Sequence, residues 1–426
     1  MDFIKRYSSN PLVRNYLKVF SVDVLVKGSG IILLPIYLQL MTQDEYGLYG
    51  YLIAIISSFS LVFNLGIYQA QSKLYHDYPL EEKGVLLFTL NSTLLAFLLI
   101  LLAAILLFRI DFPIVEFLFK GTLDYESYRA SVLLGFVVSV YSLLLVNYFL
   151  TSEDIRKVQL FNISRVVLIN VIVMLILWQF SEEDHTLLRI KYANIVELGI
   201  ILFFGSYYVR RMKFRFDSRI AKRAMWIGVP IMLSAIIGLF ANLSDRYFIE
   251  KYGTLKDLAV YNLAMTFAGI IPFAFASFQN IWLPQFLKEK DLEINRIRTK
   301  KMVVRLIAGF VVLSVGIIIT LKVMLIIGII DSKYDLIMPL LPIVLTTAVL
   351  MSLTVMYSNH LVHMDKLYVI ILVGIPASLI GIALNIWLVP LYGIYGAAVA
   401  SLMINLIFLL SYAIISRFFY SRSQAH

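Results

Sequence analysis

Six ionisable residues interrupt runs of this chain that are otherwise apolar: Asp23, Lys27, Arg165, Glu197, Asp245 and Arg246. A charge at the centre of a bilayer costs about 2.5–3.5 kcal/mol on insertion scales, so such residues face a bundle interior or an aqueous chamber. Asp23 and Lys27 are four residues apart and share one helical face. Lys27 is about ten residues into its apolar run, about 15 Å deep at 1.5 Å per residue. Arg165 and Glu197 fall about seven and nine residues into neighbouring runs that start from opposite sides, near mid-depth, where they could pair. Asp245 and Arg246 come late in a third run, near the far mouth. Arginine grips a phosphate with two parallel hydrogen bonds, and lysine serves as a point charge. Cations at Lys27, Arg165 and Arg246 therefore point to an anionic substrate, whereas a pump for organic cations would favour unpaired carboxylates. A second reading stays open, in which Asp23 with Lys27 and Arg165 with Glu197 are structural clamps between helices.

The other polar residues carry less chemistry. Asn64, Asn91, Asn170, Asn194, Asn262, Asn280 and Asn385 lie in or near apolar runs, where asparagine mostly hydrogen-bonds between helices. His360 and His363 have a helical metal-ligand spacing but no third ligand nearby, so no metal is expected. The sequence holds no P-loop, no metal-binding carboxylate motif and no Ser/His/Asp arrangement in its loops, and nothing calls for a cofactor. With no cysteine, thiolate chemistry and disulfides are excluded.

Long apolar helices must position these groups. The chain is 60% hydrophobic and 15% charged, with a mean hydropathy of +0.85. Soluble domains average about 45–50% apolar and about 25% charged, so lipid is the solvent for most of this surface. Segments such as LLAFLLILLAAILLF are apolar at every position, which excludes the alternation of a barrel strand and leaves helices. Spans are predicted at roughly 17–40, 47–69, 84–108, 129–151, 158–180, 188–209, 224–248, 255–283, 302–329, 335–359, 367–389 and 393–418. The start lacks a short apolar core with a small-residue cleavage site, so the first span is expected to be retained. Trp178, Trp282 and Trp387, with Tyr46, Tyr49 and Tyr51, fall near span ends, as interfacial anchors do.

The net charge of +10 comes from basic residues clustered in short loops, a topology signal and not a nucleic-acid footprint. Of 37 Lys and Arg, 25 fall on the side of the N-terminus and 10 on the other, which puts both termini in the cytoplasm. The basic loop VRRMKFRFDSRIAKR sits near the midpoint, as a linker between halves 1–212 and 213–426 would. EYGLYGYL at Glu45 is echoed by DLAVYNLA at Asp257, 212 residues on, and RKVQL at Arg156 by DKLYV at Asp365, 209 on. Six spans per half would make such a repeat parallel, about an axis along the membrane normal. The largest outer connection, RIDFPIVEFLFKGTLDYESYR, suits a short interfacial helix. The fold expected is all-α, about twelve membrane helices in two six-helix lobes around a cavity.

Four stretches carry a family resemblance: LPIYLQLMTQDEYGLYGYL, FNLGIYQAQSKLYHD, NLSDRYFIEKYGTLKDLAVYNLA and ALNIWLVPLYGIYGAAVASLM. They resemble the polysaccharide-transporter branch of the multidrug/oligosaccharidyl-lipid/polysaccharide exporter superfamily, the flippases of O-antigen and related lipid-linked oligosaccharides. The resemblance implies that an undecaprenyl-pyrophosphate-linked oligosaccharide crosses the bacterial inner membrane by alternating access, with other polysaccharide-assembly proteins as possible partners. Lys27, Arg165 and Arg246 would contact pyrophosphate or acidic sugar, and Asp23, Glu197 and Asp245 would pair with them or couple an ion. The related peptidoglycan-precursor flippases carry more spans than this chain. A cation-coupled drug exporter of the same superfamily is the main rival. A membrane glycosyltransferase is disfavoured, because the outer loop holding Asp44 and Glu45 is too short to build an active site.

Overall fold

The computed structural model describes residues 28, 30–120, 123–180, 182–364, 366 and 368–423; Asp23 and Lys27 lie outside them. Helices follow one another as α1 (Gly30–Leu40), α2 (Gln43–Phe63), α3 (Ile67–Asp77), α4 (Leu80–Phe108), α5 (Asp111–Leu118), α6 (Tyr125–Thr151), α7 (Ile155–Gln179) and α8 (His185–Val209). The chain continues with α9 (Ser218–Tyr252), α10 (Leu255–Ala268), α11 (Ile270–Lys288), α12 (Leu292–Ile326), α13 (Ile337–His363), α14 (Tyr368–Tyr392) and α15 (Ile394–Ser423). No strand occurs among the described residues. Ten stretches of these helices are long and apolar enough to cross a membrane, Leu255–Asn280 spanning the α10–α11 junction. Outside the ten are the short α3 and α5, α8, which is 25 residues long and carries Arg189, Lys191 and Glu197, and α1, the described end of the first predicted span.

The chain is an all-helical, multi-pass membrane protein with an internal duplication. Helices starting at 43, 80, 125 and 155 are repeated by helices starting at 255, 292, 337 and 368, offset by 212 residues for the first three and 213 for the fourth. The echo read at Glu45 and Asp257 has a local cause. Each is the third residue of a capping box, with Thr42 N–H donating to Glu45 at 2.7 Å and Thr254 N–H donating to Asp257 at 2.9 Å. Both helices that begin this way are followed by a break. The predicted span 47–69 divides into α2 and α3 at Leu65 and Gly66, and 255–283 divides into α10 and α11 at Gly269.

Two compact units result. One comprises Met1–Glu45 with Leu52–Leu239, and the other Tyr46–Tyr51 with Phe240–His426. In the first, α4 buries Leu86, Leu87, Leu90, Leu94 and Leu98 on one stripe at helical spacing, packed with Leu144, Leu145 and Phe149 of α6 and Phe204 and Tyr208 of α8. The opposite face of α4 leaves Ile100 and Leu107 at 70% and 76% exposure, an apolar surface of the kind that faces lipid. In the second unit, the backbone of Gly47 approaches Leu255 so closely that a Cβ there would lie 1.9 Å from its carbonyl oxygen. The outer connection forms α5 as expected, tied down by Arg129 Nε donating to Asp111 at 2.7 Å and the Tyr125 hydroxyl donating to Asp111 at 3.0 Å.

Trp178 and Trp387 are 76% and 65% exposed near span ends, in keeping with anchors. Tyr46, Tyr51 and Trp282 are not exposed anchors. Tyr46 and Tyr51 are buried, and Trp282 packs between the rings of Phe278 and Phe286. Proximity to a span end sets depth along the membrane, not the direction a ring faces.

Candidate functional site

Each unit contains one of the charged groups read from the sequence. In the first unit, Arg165 of α7 and Glu197 of α8 meet at 2.6 Å. The two helices run antiparallel through a short turn, so seven or so residues down one and nine or so down the other bring the side chains level. Glu197 is nearly buried, and the Ser142 hydroxyl of α6 donates to the same carboxylate oxygen that Arg165 holds. Arg165 keeps 35% of its side chain exposed, with the Phe161 ring 5.7 Å from its guanidinium carbon. Its Nη2 is committed to Glu197 and its Nε is buried without a hydrogen-bond partner, so the exposed part of the guanidinium lies beyond Nε. A guanidinium offers five donors in a planar fork, so this one retains capacity for a second anion.

The same unit holds a second cation against an aromatic ring. The Arg189 guanidinium lies 3.6 Å from the centroid of Tyr37, and the Tyr37 hydroxyl donates to Asn170 at 2.9 Å. Asn64 and Asn194 donate to the backbone carbonyls of Val140 and Ser131. These are the interhelical bonds expected of asparagine in spans.

In the second unit, Asp245 and Arg246 adjoin on α9 but point to different neighbours, since successive helical residues diverge by about 100°. Asp245 is 6% exposed and accepts three hydrogen bonds from three other helices. The Tyr261 hydroxyl of α10 donates at 2.6 Å, the Asn385 amide of α14 at 3.0 Å, and the Ser401 hydroxyl of α15 also donates. No ion pair to Asp245 occurs among the described residues. Arg246 Nε donates to Asn262 at 2.9 Å, and Asn262 donates onward to the Gly47 carbonyl at 3.4 Å. Sequence reasoning placed Asp245, Arg246, Asn262 and Asn385 in the membrane but missed Ser142, Tyr261 and Ser401. Hydroxyls are frequent in spans and carry no charge to mark them.

No cluster that could hold a metal occurs among the described residues. His360 instead hydrogen-bonds Thr299 at 3.1 Å and packs on the Phe286 ring.

The sequence profile of the family described as "Polysaccharide biosynthesis protein" matches residues 12–290, well over half of the chain. The chain belongs to that family. No curated protein matches the chain in sequence. Among solved structures its fold is similar to the lipid II flippase MurJ in an inward closed conformation. That match has TM-score 0.69 and 17% identity, and covers 93% of this chain and 87% of the other. It is also similar to an inward-facing multidrug resistance MATE family transporter of the MOP superfamily, with TM-score 0.72 and 12% identity over 96% and 95% of the two chains. An outward-facing transporter of that family aligns with TM-score 0.60 and 12% identity over 97% and 96%. At such identities the likeness establishes a shared fold, the two-lobe helical architecture of these transporters.

Proposed function

We propose that this member of the polysaccharide biosynthesis family is a flippase that moves a lipid-linked oligosaccharide, an O-antigen unit or related surface glycan on undecaprenyl pyrophosphate, from the cytoplasmic to the outer leaflet of a bacterial inner membrane. The observation that carries this reading is Arg165, a guanidinium in a membrane span that keeps one-third of its side chain exposed beside its bond to Glu197. A lipid-borne pyrophosphate is a ligand suited to such a fork. Halves 1–212 and 213–426 would act as the rocking lobes of an alternating-access cycle, with both termini in the cytoplasm. Lys27, Arg165 and Arg246 would receive the anion. Glu197 holds Arg165 in place, and Asp245 is the candidate for ion coupling.

The test is complementation of a bacterial strain lacking its own O-unit flippase, with surface glycan as the readout. Restored glycan, lost again in Arg165→Ala and also in the stable double variant Arg165→Gln with Glu197→Gln, supports the reading. Failure with every glycan tried, together with efflux of dyes or drugs, reverses it in favour of a cation-coupled exporter. One observation favours that second reading: Asp245 is a buried carboxylate with no ion-pair partner among the described residues, the group such an exporter requires.

A further inference from the structure

The internal duplication makes each half a control for the other, and at one place the two differ in a way that suggests a ligand. In the first unit, the junction of α4, α6 and α8 is solid. Leu87 is 2% exposed, and Tyr148 and Tyr208 stack edge to face at 4.8 Å with the Tyr208 hydroxyl directed to the Leu87 carbonyl. Phe88 packs on Phe214 at 5.4 Å, and the backbone of Lys213 hydrogen-bonds Gly84. The 212-residue offset maps Gly84, Leu87, Phe88 and Tyr148 onto Arg296, Thr299, Lys300 and His360. Helices α8 and α15 start 209 residues apart, which maps Tyr208 onto Arg417 and Arg211 onto Tyr420. One contact verifies the register. Gly84 lies against the backbone of Arg211, and its counterpart Arg296 lies over the ring of Tyr420 at 4.7 Å.

Where the first half is filled by leucine and aromatic rings, the second half has an open cavity of about 310 Å³ lined by Arg296, Thr299, Lys300, His360 and Arg417. Glu293 engages one Arg296 nitrogen at 3.0 Å, while Arg296 Nε is buried without a hydrogen-bond partner. Among the described residues, neither Lys300 nor Arg417 has a hydrogen-bond or ion-pair partner. The cavity wall continues into Leu292, Met364 and Ile414, and Ile414 is 66% exposed on the lipid-facing surface. A cationic chamber opening onto an apolar helix face matches a molecule with an anionic head and a hydrocarbon tail. Three cations against one carboxylate leave a surplus of positive charge at this cavity.

We propose that this cavity binds the phosphate of an anionic phospholipid, with Arg296, Lys300 and Arg417 on the phosphate and Ile414 and Met364 along the first methylenes. The site lies within the second unit alone and is separate from Arg165 and Asp245, so it stands whatever substrate the chain carries. All three cations belong to the set that the charge asymmetry assigns to the cytoplasmic side.

The test is lipid binding to the full-length protein by native mass spectrometry, with thermal unfolding in parallel. Phosphatidylglycerol, phosphatidylcholine and inorganic phosphate are compared. Phosphatidylglycerol is expected to bind best and to raise the unfolding temperature. Lys300→Ala with Arg417→Ala removes two exposed, unpartnered charges, so the fold is retained. At about 1 kcal/mol per basic residue near an anionic surface, each should cost about fivefold in affinity, about 25-fold together. The variant Lys300→Phe, which places the first half's residue at this exposed position, should weaken phosphatidylglycerol binding at least as much as Lys300→Ala. Equal binding of both lipids, or undiminished phosphatidylglycerol binding in the alanine variant, overturns the proposal. Stabilisation by inorganic phosphate equal to that by phosphatidylglycerol overturns the lipid assignment and makes the ligand a soluble phosphate.

Discussion

Removing the Arg165 guanidinium while also neutralising Glu197 separates the two roles open to this pair. Arg165→Ala alone leaves a nearly buried carboxylate with the Ser142 hydroxyl as its remaining donor. Breaking a buried pair from one side costs about 3–5 kcal/mol, and the one-third exposure of Arg165 puts this case at the low end, about 3 kcal/mol. Loss of glycan export in that variant would therefore mix misfolding with lost chemistry. Arg165→Gln combined with Glu197→Gln removes both charges and keeps hydrogen-bonding groups of similar size. Replacing both members of a buried pair is often neutral, so the double variant should fall within about 1 kcal/mol of the parent. Its export should still fall, because a neutral amide cannot supply the charge-assisted bonds to phosphate. Those are worth about 1.5–3 kcal/mol, or roughly 10- to 150-fold in rate. Stability is read by unfolding in detergent, and export by surface glycan in the complemented strain. Should the stable double variant export at the parental rate, Arg165 is a structural clamp and the argument for an anion at that site fails.

Three further outcomes are expected. Gly228→Ala should destabilise the first unit by about 1–3 kcal/mol, because the new Cβ would sit 2.2 Å from the Leu65 carbonyl oxygen. Gly238→Ala on the same helix has nothing within 4 Å and should be neutral, or stabilising by up to about 1 kcal/mol; the two melting temperatures are compared directly. Asp245→Ala strands the Tyr261, Asn385 and Ser401 donors and should cost about 1–3 kcal/mol for each left unsatisfied. Asp245→Asn should fold nearly as well as the parent, because the Asn385 amide can turn its unpartnered carbonyl to the new amide, yet should lose any dependence of transport on an ion gradient. The natural absence of cysteine makes topology testable with single thiols: Ser332→Cys should react with a membrane-impermeant maleimide in intact cells, and Lys290→Cys only after permeabilisation.

What could be read in the linear chain follows from rules that act locally. Lipid demands unbroken apolar stretches of spanning length, so the helices appeared where hydropathy placed them, from 84–108 as Leu80–Phe108 to 335–359 as Ile337–His363. The capping boxes at Thr42 and Thr254 involve residues three apart, so the duplication left a trace in sequence at Glu45 and Asp257. The pairing of Arg165 with Glu197 was also accessible, because a short turn between antiparallel helices fixes relative depth. The breaks at Leu65 and Gly269 were not, since hydropathy records an apolar segment and not its backbone dihedrals. Nor did the chain alone show that Asp245 is held by Tyr261, Asn385 and Ser401. Those donors arrive from three helices whose rotation is set by packing, and a hydroxyl at position 401 has no sequence relation to a carboxylate at 245. The contrast between the filled junction at Tyr148 and Tyr208 and the cationic cavity at His360 and Arg417 likewise belongs to tertiary structure. Depth in the membrane is set along one helix; the direction a side chain faces is set by its neighbours.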